Sequence, residues 1–144
     1  MLSSEKILTS TPLETQNIGK ELAKKLGPNS VVAFFGDLGT GKTTMIKGIV
    51  EHLGISPNEV SSPTFVYLNI YQAQLPIYHF DLYRIKNEKE FLAMGLDEFL
   101  EAGGICFIEW AEQISSLLPK HVTKIQIIGK TENTREIIIE ENSL

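Results

Sequence analysis

The chain has 144 residues, of which 42% are hydrophobic, 22% charged and 8% aromatic. This length suits one domain, residues 1–144, and the composition excludes general disorder and the collagen-like, mucin-like and coiled-coil classes. Thirteen Lys and Arg against eighteen Asp and Glu give a net charge of −5. An acidic protein of this size is a poor binder of nucleic acid on its own, because phosphates must be neutralised by clustered cations.

Two features predict a location in the cytoplasm. No apolar stretch approaches the roughly 18–20 residues that span a bilayer, and residues 1–10 lack the apolar core of a signal peptide. The single Cys106 has no partner for an internal disulfide, which favours a reducing compartment. We therefore expect a cytoplasmic protein that makes no contact with membranes.

The first part of the chain predicts a helix, a buried strand and a second helix. Residues 11–14 carry a Thr cap, a Pro at the first helical position and a Glu that completes a capping box. This helix is expected to end at Gly27, and the continuous apolar run 31–35 is typical of a strand buried on both faces. After a Gly-rich turn, apolar spacing over 45–53 predicts a second helix that ends at Gly54.

The rest of the chain alternates strand and helix patterns. Residues 64–71 and 76–82 are rich in β-branched and aromatic side chains, and their short connection predicts an antiparallel pair. A helical pattern over 88–100 breaks at Gly95, and 104–110 is a second buried strand. The remaining predicted elements are a short helix up to Pro119 and a closing hairpin of 122–128 with 134–140. Together they predict an α/β fold: a mixed sheet, with a parallel core and antiparallel hairpin additions, flanked by helices.

Residues 36–43, Gly-Asp-Leu-Gly-Thr-Gly-Lys-Thr, fit G-x-x-x-x-G-K-[ST], the P-loop. Glycines let the backbone wrap phosphates closely and point N–H groups at their oxygens. Lys42 supplies a cation to the β- and γ-phosphates, and Thr43 a hydroxyl to a magnesium ion. Because the motif lies between a predicted strand and helix, we expect a single-domain P-loop NTPase fold that binds ATP and Mg²⁺. The predicted binding positions are Gly36, Asp37, Leu38, Gly39, Thr40, Gly41, Lys42, Thr43 and Thr44.

Two predicted strands end in an acid, Asp81 and Glu109. Ligands gather at strand ends in open α/β sheets, and a P-loop needs acids to hold the metal and orient the attacking water. Glu109 lies on the more apolar strand and better resembles a metal-site acid, whereas Asp81 can share the metal shell or position water. The alternative for either is a solvated acid at a strand end.

Thr64 follows Ser-Pro on a predicted loop after the P-loop helix. A Thr at this point can close over a γ-phosphate and magnesium, as switch loops do in other nucleotide hydrolases. The alternative is that Ser-Pro simply starts a strand.

The segments GDLGTGKTT, SSPTF, HFDLYR and FIEW, in this order and at these spacings, resemble the TsaE (YjeE) family essentially end to end. The family comprises small bacterial P-loop ATPases required for threonylcarbamoyladenosine modification of tRNA, at the adenosine next to the anticodon. The resemblance implies a Mg²⁺-dependent ATPase, slow alone, that acts with TsaD and TsaB in a nucleotide-dependent complex. TsaD would carry the transfer chemistry, tRNA would be met only through the complex, and the isolated chain is expected to be a monomer. The family pattern assigns function to Lys42, Thr43, Thr64, Asp81, Glu109 and Trp110.

Other residues have two interpretations each. Trp110, the only Trp, can line the site or pack the core. Arg135 can reach the nucleotide, and Thr11 can touch the base, although a helix cap is the simpler account of Thr11. Arg84 can contact nucleotide or a partner, or pair with a surface acid. His79 shares the strand face of Asp81, so either a site role or a structural hydrogen bond fits it.

Two rival functions belong to other classes. A small P-loop kinase usually needs several cations to clamp both phosphates, and two Arg in the whole chain make that difficult. The other rival is a nucleotide-gated binding module, in which the bound nucleotide sets the affinity for a partner and slow hydrolysis only returns the protein to its starting state. This rival is compatible with the family. A GTPase is disfavoured because no N-K-x-D segment is present to read guanine.

Overall fold

The computed structural model describes residues 2–36, 41–60 and 67–142. Over these ranges the chain forms one mixed sheet of seven strands with helices on both faces, which confirms the predicted fold class. The strands are β1 Leu2–Thr9, β2 Val31–Phe35, β3 Leu68–Gln72, β4 Pro76–Asp81, β5 Ile105–Glu109, β6 Thr123–Gly129 and β7 Arg135–Asn142. The helices are α1 Pro12–Ala23, α2 Lys42–His52 and α3 Glu88–Ala93, with 3₁₀ helices at Pro57–Glu59, Leu96–Glu101 and Ala111–Leu117.

The strand order is β1-β7-β6-β2-β5-β4-β3. β2 lies between β5 and β6 and runs parallel to both, and β4 runs parallel to β5. The two predicted hairpins, β3 with β4 and β6 with β7, are antiparallel. The carboxyl ends of β2, β4 and β5 therefore meet at one edge of the sheet, where ligands bind in folds of this kind.

Each face of the sheet carries its own apolar core. On the first, called here the α2 face, Val32, Phe34 and Phe107 pack with residues of α1 and α2. On the second, the α3 face, Phe80 and Ile108 pack with residues of α3 and of the two later 3₁₀ helices. Alternate residues of β2, β4 and β5 belong to opposite faces, so all three strands are buried on both sides, as the continuous apolar sequences of β2 and β5 predicted.

α1 and α2 approach each other closely at two glycines. A Cβ atom on Gly48 of α2 would collide with the backbone of Gln16, and one on Gly19 of α1 would collide with the backbone oxygen of Met45. The crossing therefore depends on residues without side chains, and it fixes α2, which begins at the P-loop lysine.

Two predicted elements have different bounds in the structure, and one strand was not predicted. α1 ends at Ala23, four residues before Gly27, because the backbone continues in turns through Lys24 and Lys25. The pattern over 88–100 is α3 followed by a 3₁₀ helix, and Gly95 at the junction has a φ of 72°. β1 was not predicted: it is an edge strand paired with β7, and most of its side chains are exposed, so it lacks an alternating apolar pattern.

None of the helices in the described part of the chain has the length and apolarity that crossing a membrane requires.

Candidate functional site

The P-loop motif joins β2 to α2, as its sequence context predicted. Gly36 follows the strand with a φ of 131°, and Gly41 caps the helix with a φ of 109°. Both values lie in the region that favours glycine, so the backbone path requires glycine at these two positions. Asp37, Leu38, Gly39 and Thr40 lie outside the described residues.

Lys42, the first residue of α2, is buried with 4% of its surface exposed. Its Nζ donates a hydrogen bond of 2.8 Å to the backbone oxygen of Gly36 and lies 4.4 Å from the ring centroid of Trp110. Neither of these partners carries a charge. A buried ammonium is stabilised best by an anion, so the contacts leave Lys42 suited to bind one at the mouth of the loop.

The two predicted acids face each other at the ends of neighbouring strands. Asp81 of β4 and Glu109 of β5 are direct register partners, and Glu109 is also the partner of Phe34 of β2. Asp81 is 7% exposed and Glu109 4%, so the alternative that either is a solvated strand-end acid is wrong. Strand alternation places both on the α2 face, the side of the sheet on which α2 begins.

Each acid has a hydrogen-bond donor of its own. Oδ1 of Asp81 accepts from the backbone N–H of Tyr83 at 3.0 Å. Oε2 of Glu109 lies 2.7 Å from Nε2 of His79, which is fully buried. Of the two interpretations of His79, the structure thus records a hydrogen bond, and the bond is made to a candidate site residue.

These acids fit a magnesium ion that is shared with a nucleotide. The described residues contain no group of three or more His, Cys, Asp and Glu able to hold a metal alone. Magnesium is usually bound by one or two carboxylates together with substrate phosphates and water. Thr43 in the first turn of α2, Glu109 and Asp81 could supply the protein's share.

Trp110 follows Glu109 and takes a left-handed backbone conformation, with φ 59° and ψ 43°. For a bulky residue this conformation is uncommon. Its ring covers Lys42 and lies 5.0 Å from the ring of Tyr83, and it also packs against the core of the α3 face. The predicted packing of Trp110 against the core is confirmed, whereas its role in lining a nucleotide site stays a prediction.

A groove of about 750 Å³ is lined by Phe35, Gly36 and Trp110 and continues over Lys124 of β6 and Glu140 of β7. Its size is in the range of small-molecule sites.

The remaining predicted residues lie elsewhere or are not described. Thr11 caps α1 by accepting from the backbone N–H of Glu14 at 3.1 Å, which confirms the predicted cap. Arg135 donates to backbone oxygens of the β6–β7 hairpin. Nucleotide contacts of these two residues stay predictions, as does a role for Arg84. Thr64 lies outside the described residues, and with it the predicted switch loop.

Comparison with known proteins identifies the family. The family described as threonylcarbamoyl adenosine biosynthesis protein TsaE matches residues 9–137. The chain is 43% identical over 130 residues to the tRNA threonylcarbamoyladenosine biosynthesis protein TsaE of Bacillus subtilis (strain 168), covering 90% of this chain and 80% of that one. Against the protein of the same name from Treponema pallidum (strain Nichols), the identity is 36% over 126 residues, with 88% and 93% covered.

A solved structure agrees with these matches. The crystal structure of Bacillus subtilis YdiB superposes on the chain with a TM-score of 0.82 at 35% identity, and covers 99% of this chain and 88% of that one. The chain therefore belongs to the TsaE family, as the resemblance of its four motifs predicted.

Proposed function

We propose that the protein binds ATP with magnesium at residues 36–44, hydrolyses it, and thereby serves the threonylcarbamoyladenosine modification of tRNA. The observation that carries the proposal is the buried cation of Lys42 at the start of α2. Among the described residues, its recorded contacts are a hydrogen bond to the Gly36 carbonyl and the ring of Trp110, neither of which is charged. Family membership supports the pathway, since the relatives are named for threonylcarbamoyladenosine biosynthesis.

The chain's own residues divide the work between binding and hydrolysis. Lys42 and the amino end of α2 bind the β- and γ-phosphates, because both present positive charge at the same point. Thr43 and Glu109 hold the magnesium ion, which supplies charge neutralisation on the phosphates when bound. Asp81, opposite Glu109, shares the metal shell or orients the attacking water.

We propose that the protein acts with TsaD and TsaB and does not itself transfer the threonylcarbamoyl group. The nucleotide state would set the affinity for these partners, and Thr64 would report the γ-phosphate to them. The net charge of −5 supports contact with tRNA through the complex rather than directly.

The test compares ATP binding by wild type, Lys42→Ala and Lys47→Ala, measured by calorimetry with magnesium. Lys47 lies on the same helix and loses the same charge, so it is a matched control. A hydrogen bond to a charged group contributes about 1.5–3 kcal/mol, so Lys42→Ala should bind ATP at least ~10-fold more weakly. Lys47→Ala should stay within about threefold of wild type. Unchanged ATP affinity in a folded Lys42→Ala protein would refute the assignment.

Hydrolysis is then followed with and without TsaD and TsaB. A rate that rises with the partners supports a coupled ATPase. A negligible rate in both cases, together with nucleotide-dependent partner binding, favours the gated binding module.

A further inference from the structure

His79 is the buried centre of a hydrogen-bonded chain of three polar side chains from three adjacent strands, of which Glu109 is also buried and Tyr71 half-buried. Its Nε2 lies 2.7 Å from Oε2 of Glu109 on β5, and its Nδ1 lies 3.2 Å from the hydroxyl of Tyr71 on β3. The ring itself is fully buried in the middle of β4. Both ring nitrogens are therefore occupied, which a buried imidazole requires.

The hydrogen bonds have a direction. An ionised carboxylate can only accept, so the proton of the imidazole facing Glu109 must be on Nε2. In the neutral ring Nδ1 is then an acceptor, and the Tyr71 hydroxyl donates to it. The hydrogen-bonded chain thus runs from the phenol of Tyr71 through the imidazole of His79 to the carboxylate of Glu109. The 2.7 Å between Nε2 and Oε2 is typical of a charge-assisted hydrogen bond.

The neighbours of His79 on the β5 side are apolar. Its register partner on β5 is Phe107, and the preceding residue of β4 on the same face is Ile77, both fully buried. Its register partner on β3 is the half-buried Asn69. An apolar side chain would fill this position without the cost of burying an imidazole. The buried carboxylate of Glu109 is the group to which the imidazole supplies a hydrogen bond.

The two acids have different hydrogen-bond donors. Register places Asp81 and Glu109 directly opposite each other, where like charges repel. His79 engages one oxygen of Glu109 from two residues earlier on β4, whereas Asp81 is engaged by the backbone N–H of Tyr83. Among the described residues no hydrogen bond is recorded for the second oxygen of Glu109, Oε1, and the bond to His79 restrains the orientation of the Glu109 side chain.

We propose that His79, supported by Tyr71, is a positioning residue for hydrolysis: it orients Glu109 so that Oε1 serves the magnesium ion. This inference rests on the proposed function for its metal and nucleotide, and on the structure alone for the hydrogen-bonded chain. Groups that orient a metal-binding side chain typically change metal affinity or activity by about 10–100-fold when removed.

The first experiment tests the chain in nucleotide-free protein labelled with ¹⁵N in its histidines. We expect the His79 ring to carry a slowly exchanging proton on Nε2, and its chemical shift to change in Glu109→Gln. Glu98→Gln, an exposed acid on a 3₁₀ helix, is the matched control and should leave the shift unchanged. A deprotonated Nε2, or a shift insensitive to Glu109→Gln, would overturn the proposal.

The second experiment measures the magnesium dependence of ATP binding, and kcat, in His79→Leu and His79→Gln. Leu removes the donor, whereas Gln keeps an amide N–H near the position of Nε2. We expect His79→Leu to raise the magnesium requirement and lower kcat by about tenfold or more, with ADP affinity within about threefold of wild type. His79→Gln should recover most of both losses. A folded His79→Leu protein with normal magnesium dependence and kcat, or a Gln variant as impaired as Leu, contradicts the positioning role.

Tyr71→Phe keeps the test decisive if His79→Leu fails to fold. It removes only the hydroxyl behind His79 and should raise the magnesium requirement by about two- to fivefold, whereas Tyr78→Phe, on the opposite face of β4, should not. No effect of Tyr71→Phe, or an unprotonated Nε2 of His79, would end the proposal. A wild type that binds no ATP, or binds it as Lys42→Ala does, contradicts the proposed function instead, and the NMR result still decides whether His79 holds Glu109.

Discussion

Replacement of Gly48 by Ala tests how the fold holds the P-loop helix in place. A Cβ built on Gly48 collides with the backbone oxygen of Gln16 and lies 2.8 Å from both its carbonyl carbon and its Cα. All three atoms are backbone atoms of α1, so no side-chain rotation can relieve the contact. α1 and α2 must instead move apart.

The expected loss of stability follows from two opposing terms. Ala is favoured over Gly inside a helix by about 1 kcal/mol. Overpacking a close contact costs about 1–3 kcal/mol of stability. Because the colliding atoms belong to the backbone and cannot rotate away, we expect the cost of the Gly48 substitution to be about 3 kcal/mol. The net destabilisation is about 2 kcal/mol, which corresponds to a fall in Tm of roughly 4–8 °C for a chain of this size.

Thermal unfolding followed by circular dichroism measures the effect, with Gly27→Ala as the matched control. Nothing lies within 4 Å of a Cβ on Gly27, so that variant should unfold within about 0.5 kcal/mol of wild type. A Tm for Gly48→Ala equal to or above that of wild type would show that the helices do not cross as closely as described, and the reasoning would fail.

Three further predictions concern the acids, the thiol and RNA. Glu109→Gln should lower magnesium-dependent hydrolysis at least ~10-fold while affecting nucleotide affinity less; normal hydrolysis in this variant together with its loss in Asp81→Asn would reverse the roles of the two acids. Burial raises the pKa of the Cys106 thiol from 9.0 to about 12, so a thiol reagent at pH 8 should label Cys106 only after unfolding. Because the folded pKa is the higher one, the thiol's contribution to stability is complete below about pH 9 and is lost as the pH rises toward 12; an alkaline titration of Tm in wild type and Cys106→Ala checks this. The isolated chain should not bind tRNA tightly at physiological salt, and a submicromolar Kd in a filter-binding assay would contradict that prediction.

Local sequence patterns predicted the elements that carry the site. Each of these elements can be recognised from a few consecutive residues, because backbone conformation and strand burial leave a local pattern in the sequence. They are the apolar run of β2, the spaced glycines of the P-loop and the acids at the ends of β4 and β5. The structure places the carboxyl end of β2 with Gly36, and the two acids of β4 and β5, at one edge of the sheet.

Contacts between residues that are far apart in the chain could not be predicted from the sequence. Strand alternation places His79 on the face of Asp81, but its hydrogen bond joins it to Glu109, thirty residues away, and depends on the register of β4 against β5. Nothing in the sequence fixes that register. β1 was missed for another reason: an edge strand with mostly exposed side chains needs only backbone pairing, which leaves no hydrophobic pattern to read.

The position of Trp110 gives the protein an optical reporter of its own. It is the sole tryptophan of the chain, and its indole lies 4.4 Å from the ammonium of Lys42. A phosphate that draws this ammonium away from the Gly36 oxygen moves a full charge across the face of the indole, to which tryptophan emission is sensitive. Because no second indole contributes background, the tryptophan fluorescence of the unlabelled protein reports on the surroundings of Trp110, among them Lys42. If the proposed nucleotide binds at Lys42, rapid-mixing measurements can time its arrival and departure without any modification of the protein.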